Sequence, residues 1–142
     1  MSSSVAIGEA ARASGIKIPT IRFYEQIGLL AAPPRTTSQR RLYRKQDIDR
    51  LAFIRHAREL GFDIEAIRTL LDLQDNPHQS CEVADSTARA RLAEVEARIV
   101  SLQALREELC RMVEGCAQGH VAECRVIETL ADQSHTHGRL AE

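Results

Sequence analysis

The chain holds 142 residues, enough for one small domain or a small domain with an extension. It has no run of about 18 apolar residues, which excludes a membrane-spanning helix. The opening "MSSSVAIGEAARASG" lacks a basic region followed by an apolar core, so no secretory leader is expected and a cytoplasmic location is. The net charge of −1 conceals an asymmetry: residues 1–58 hold 11 Lys/Arg against 4 Asp/Glu, while residues 59–142 hold 8 against 16. A polyanion-binding front end on an acidic body fits this division, with chance clustering of solvated charge as the plainer alternative.

The first elements form a pair. "IGEAARASGIKIPTIRFYEQIGLL" reads as helix, tight turn, helix, with Ala10 and Ala11 as small packing positions. Gly15 suits a turn of positive φ, and Pro19 fits the first turn of the second helix. Ile18, Ile21, Phe23 and Tyr24 follow at roughly helical spacing. This is the pattern of a helix-turn-helix, whose second helix enters the major groove, although many small helical proteins contain such a pair.

"AAPPRTTSQRRLYRKQD" comes next. Pro33 and Pro34 stop any helix, and Arg35, Arg40, Arg41, Arg44 and Lys45 surround the short β-prone run Leu42, Tyr43. A basic hairpin, or wing, offering cations and a hydroxyl to phosphates is the natural reading. Asp47 is then placed to cap "IDRLAFIRHAREL", which Gly61 ends, and Asp63 to cap "IEAIRTLLDLQ", which Asn76 and Pro77 end. Ile64, Ile67, Leu70 and Leu71 form a stripe that packs back on the first domain.

From residue 80 to 114 no Pro or Gly interrupts the chain. Leu92, Val95, Ile99, Leu102, Leu105, Leu109 and Met112 recur at three- and four-residue steps, the spacing of a coiled-coil seam. A helix of this length spans about 50 Å at ~1.5 Å per residue and cannot bury its stripe alone. A homodimer supplies the partner helix. After it come "CAQGHVAEC" and a short segment, "RVIETLADQ", suited to one or two helical turns; the tail "SHTHGRLAE" is expected to be mobile.

Four cysteines in a reducing compartment point to metal or redox chemistry. Cys116 and Cys124 flank His120 in a C-x₃-H-x₃-C loop, where Gly115 and Gly119 permit tight curvature. Such a set suits Zn²⁺, Cd²⁺, Pb²⁺, Hg²⁺ or Cu⁺; reactive thiols and incidental residues remain open alternatives. Cys81 stands at the other end of the long helix, too far along one chain to share an ion with the loop. In an antiparallel dimer, Cys81 of one protomer meets Cys116 and Cys124 of its partner, giving two composite sites; an ordinary helix-start residue is the alternative. Cys110 adjoins the packing stripe and reads as structural. His135 and His137 offer an accessory metal site or a disordered pair, and His56 and His78 have no evident partner.

Together "TIRFYEQIGLL", "RRLY", "LAFIRHARELGF", "IRTLLDL", the long helix and the cysteine loop resemble the MerR family of metal-responsive transcription activators, over about residues 5–130. The resemblance implies a mainly α fold: a winged helix-turn-helix with connecting helices at 1–79, an antiparallel coiled-coil dimerisation helix at 80–114, a metal-binding loop and short helix at 115–133, and a tail at 134–142. It implies a homodimer on a palindromic operator whose overlong promoter spacer becomes usable by RNA polymerase when metal binding makes the protein bend and untwist the DNA. Lys17, Arg22 and Tyr24 of the recognition helix and Arg41 and Tyr43 of the wing are the implied DNA contacts. The family's wing carries a Gly-aromatic pair where Gln39 and Arg40 stand here, so Arg40 is assigned to phosphate.

Within the family, Cys81 resembles the ZntR-, CadR- and PbrR-like branch that senses divalent ions, and His120 resembles the extra ligand of its zinc type. The C-x₇-C loop length instead resembles the CueR-like copper sensors, so the two features pull apart; ligand count favours Zn, Cd or Pb as effector, Hg being possible, with Cu(I) as the alternative. An enzyme is not expected. A small thiol redox protein would need Cys-x-x-Cys on a βαβ unit, and a structural zinc dimer module would leave the basic wing unused.

Overall fold

The structure is a computed structural model that describes residues 4–31, 42–115, 119–121 and 124–133. The expectations for Arg35, Gln39, Arg40 and Arg41 in the wing, for Cys116, and for the tail with His135 and His137 lie outside the described residues. Among the described residues the chain forms six helices: α1 Ile7–Ser14, α2 Ile18–Gln26, α3 Lys45–Glu59, α4 Ile64–Gln74, α5 Glu82–Glu114 and α6 Arg125–Ala131. The fold is mainly α, as the periodicity predicts. Its one described β feature is an isolated antiparallel bridge between Val5 and Tyr43, closed by both N–H···O bonds at 2.8 and 2.7 Å. Two compact units divide at residue 87/88, within α5.

In the first unit, α1 ends on Gly15 at φ 75°, whose N–H returns to the Ala11 carbonyl. A side chain at that φ would be strained, and its Cβ would also press on Arg55 Cδ at 3.2 Å. The turn is thus closed as expected, and Pro19 lies in the first turn of α2. The core gathers Ala10, Ile21, Leu29, Leu51, Ile54 and Ile67. Each large aliphatic among them contributes about 1.5–3 kcal/mol on burial. Asp63 caps α4 as expected, its carboxylate accepting from Ala66 N–H at 2.8 Å.

The start of α3 differs from the expectation. Asp47 lies inside the helix, which begins at Lys45. Its carboxylate reaches back to accept the Arg44 N–H at 2.8 Å. That is half of a capping box; Arg44, with no acceptor on its side chain, cannot supply the other half.

The second unit contains most of α5 together with α6. Leu92, Ile99, Leu102 and Leu109 are each about half exposed along α5 in the single chain. Met112 departs from the expected stripe. It is buried in a cleft it shares with Arg125, Glu128 and Thr129, while Val113 lines an open apolar groove with Leu102, Leu105 and Leu109. No helix of the described residues is long and apolar enough to cross a membrane.

Candidate nucleic-acid interface and metal-loop stem

Helix α2 has two faces. Ile21 and Tyr24 point into the core, at 0% and 7% exposure, while Phe23 is 47% exposed. Lys17, Arg22 and Gln26 are exposed with Phe23. The outward face therefore offers two cations, an amide and an aromatic edge, the groups that contact phosphates and base edges.

Two of the implied DNA contacts are buried in this chain. Tyr24 belongs to the core, its ring packed 6.0 Å from that of Phe23. Tyr43 is fully buried, and its hydroxyl donates to the Glu25 carboxylate on α2. Both rings fill the space between helices, and the bridge to Val5 fixes Tyr43 at the base of the wing segment. The exposed aromatic and the buried one are adjacent in the chain, and helical spacing alone does not tell Phe23 from Tyr24. Their roles follow from which side of α2 faces α1 and α3.

The loop at 116–124 is described at its stem. Gly115 follows α5 and Arg125 begins α6, and the two are in close contact. A Cβ added at Gly115 would sit 2.7 Å from Arg125 Cγ and 3.2 Å from the Arg111 carbonyl. Any larger residue would push the start of α6 away, so glycine here serves close approach of backbone to side chain. The two ends of the loop are thereby held together. Cys124 immediately precedes α6, accepts the Glu128 N–H at its carbonyl at 3.0 Å, and is half-buried; Cys81 is exposed and outside any disulfide. His120 is exposed.

At the far end of α5, the Cys81 carbonyl accepts the Asp85 N–H at 2.9 Å, making Cys81 the entry residue of the helix. Glu82 and Asp85 place negative charge in its first turn, where the helix dipole favours it. Among the described residues no three His, Cys, Asp or Glu side chains of one chain converge as a metal cluster. Cys110, half-buried, lines the apolar groove of α5, in keeping with a structural role.

A helix-turn-helix with cations on the outward face of its second helix, followed by a 33-residue helix, defines a DNA-binding regulator. The model of the "MerR HTH family regulatory protein" matches residues 5–74, and that of "MerR, DNA binding" matches residues 48–112. The chain is 40% identical over 127 residues to the transcriptional regulator ZntR of Escherichia coli (strain K12), covering 87% of this chain and 90% of that one. It is 31% identical to the regulator CueR of Salmonella typhi, covering 91% and 94%. Among solved structures it superposes on the transcription regulator PbrR691 from Ralstonia metallidurans CH34, in complex with lead(II), with a TM-score of 0.76, 34% identity and coverage of 89% and 99%. The chain belongs to the MerR family, on the branch that holds ZntR and PbrR, and is a transcription regulator rather than an enzyme.

Proposed function

We propose that the protein is a cytoplasmic, homodimeric regulator that binds a palindromic operator and activates a metal efflux or resistance promoter when a soft divalent ion occupies its loop. The observation that carries the metal reading is the loop stem: Gly115 packed against Arg125 holds together the ends of a segment that contains Cys116, His120 and Cys124. The ligand set is Cys116, Cys124 and His120 of one protomer with Cys81 of its partner. Cys81 lies before α5 and the loop after it, so an antiparallel helix pair supplies the missing thiol. Three thiolates and an imidazole suit Zn²⁺, and three thiolates suit Cd²⁺ or Pb²⁺. Similarity to PbrR691, solved with lead(II), supports a divalent ion. The second reading, Cu(I), is favoured by the C-x₇-C spacing of the loop. Promoter activation in vitro with RNA polymerase, measured across buffered Zn²⁺, Cd²⁺, Pb²⁺, Hg²⁺ and Cu⁺, separates the two: a response to Cu⁺ alone rejects the divalent site.

On the DNA side, Lys17 at the N-cap of α2, Arg22 and Tyr24 on it, and Arg40, Arg41 and Tyr43 of the wing contact the operator, and Phe23 adds an exposed aromatic edge. Arg22→Ala is expected to weaken specific operator binding by ~1–3 kcal/mol, whereas Arg40→Ala lowers the salt slope by about one unit across all sequences. Fluorescence anisotropy on specific and scrambled duplexes at several salt concentrations checks both. Unchanged affinity and slope for the two variants would remove the winged-helix interface.

A further inference from the structure

The recognition helix α2 ends at Gln26, and the turn that follows is held by two guanidinium groups from other helices. Arg68 of α4 donates to the Ile27 carbonyl at 3.0 Å. Arg50 of α3 donates through Nε to the Leu29 carbonyl at 2.9 Å, while its Nη1 meets both Asp75 carboxylate oxygens at 3.0 and 3.2 Å. Carbonyls at a helix end need donors from outside the helix, and arginine's planar fork can hold two acceptors in a fixed relation.

Asp75 is the C-cap of α4, and the chain runs from it through Asn76 and Pro77 to Cys81 in six residues. The Arg50 side chain is 25% exposed and that of Asp75 54%, so the pair is worth little as a stabilising ion bridge. Its geometry is more informative. One rigid group links the exit of the DNA-reading helix to the start of the segment that enters α5.

We propose that Arg50 is a positioning residue, and that Asp75–Arg50–Leu29 transmits the state of the Cys81 end of α5 to the recognition helix. The inference rests on the metal reading given above. A shift of the segment that carries Cys81 displaces the Asp75 carboxylate. The guanidinium then either follows it, moving the Leu29 carbonyl and the end of α2, or lets go of one acceptor. Either outcome gives α2 two settings that differ with metal occupancy, which is what coupling between two sites requires.

The test uses the full-length protein, Zn²⁺ alone as probe, and a duplex selected by the wild-type protein that carries 2-aminopurine at its centre to report DNA distortion. Asp75→Asn preserves size and removes the charge; Arg50→Lys preserves charge and loses the fork. Both are expected to keep zinc affinity, metal-free operator affinity and melting temperature close to wild type. Both lose most of the zinc-induced fluorescence change, a reduction of about fivefold or more, which is the lower end of typical allosteric coupling. Asp75→Glu restores the greater part of it. A full zinc-induced change in Asp75→Asn overturns the relay while leaving the metal site standing. A parallel fall in metal-free operator affinity and melting temperature also overturns it, because that pattern marks plain structural support. A wild-type protein that shows no zinc-induced change removes the metal reading and the relay with it.

Discussion

Replacing Cys81 with serine is expected to abolish activation by Zn²⁺, Cd²⁺ and Pb²⁺ and to leave, or unmask, a response to Cu⁺. Cu⁺ is satisfied by two thiolates, whereas the divalent ions take three or more ligands. Charge does not select between them: two thiolates on Cu⁺ and three on Zn²⁺ both leave a net −1. Coordination number does. Losing one of three or four direct ligands should lower divalent affinity by more than the roughly 10–100-fold typical for a second-shell partner. Cys110→Ser serves as the control, since Cys110 lines the apolar groove of α5 with Leu105 and Leu109, and it should change neither response. His120→Ala should reduce zinc affinity more than cadmium or lead affinity, because thiolate-preferring ions can dispense with the imidazole. Competition against a chromophoric chelator, paired with transcription in vitro, measures each. Undiminished zinc, cadmium and lead induction in Cys81→Ser would mean that the cross-dimer site is wrong and the copper reading takes its place.

Local chemistry made much of the fold legible. Gly15, Pro19 and Asp63 sit where backbone sterics and unsatisfied helix amides require them, and the structure uses all three as the residue types suggest. The long helix was equally legible, because 33 residues without Pro or Gly admit little else. Tertiary placement was less so. Asp47 is an adequate N-cap by type, but the Arg44 N–H that it accepts draws the helix start back to Lys45. Tyr24 and Tyr43 carry hydroxyls suited to phosphate, and only the packed positions of α1, α2 and α3 show that both rings are core. Arg50 and Arg68 gave no signal at all, since the carbonyls they hold lie 21 and 41 residues away. At the loop, glycine spacing suggested curvature; the contact of Gly115 with Arg125 adds that the stem is closed.

The same contrast bears on how a sensor of this size can work. The first unit packs a core around α2 from α1, α3 and α4, so the recognition helix cannot shift without its supports. Buried cores switch between discrete arrangements rather than deforming continuously. A polar pair at the edge of that core, Arg50 with Asp75, is the kind of contact that can be remade at small cost. That pair sits at the end of α4, on the approach to α5, which makes this junction the natural place for coupling.

Introducing Leu102→Asp together with Leu109→Asp is expected to convert the proposed homodimer into a monomer at micromolar concentration. The two residues are seven apart and so share a face of α5, and each is 48% exposed in the single chain. Each is thus already about half-buried, and each lost leucine forfeits roughly half of the 1.5–3 kcal/mol of full burial. Two-fold symmetry counts every substitution twice, so the loss is about 3–6 kcal/mol before the cost of desolvating four carboxylates is added. A nanomolar dimer is held by ~12 kcal/mol, so this loss and the carboxylate desolvation together dissociate it. Val100→Asp is the control: Val100 is 65% exposed but lies off the stripe, and its substitution should leave the dimer intact. Helix content should fall only slightly, since aspartate costs at most ~0.7 kcal/mol of propensity per position. Sedimentation velocity without metal reads the assembly state, and circular dichroism reads the helix. The monomer should also bind Zn²⁺ as weakly as Cys81→Ser does, because it has lost the partner's thiol by a different route. A double-aspartate variant that stays dimeric would place the interface elsewhere on α5, and a monomer that keeps wild-type zinc affinity would confine the metal site to a single chain.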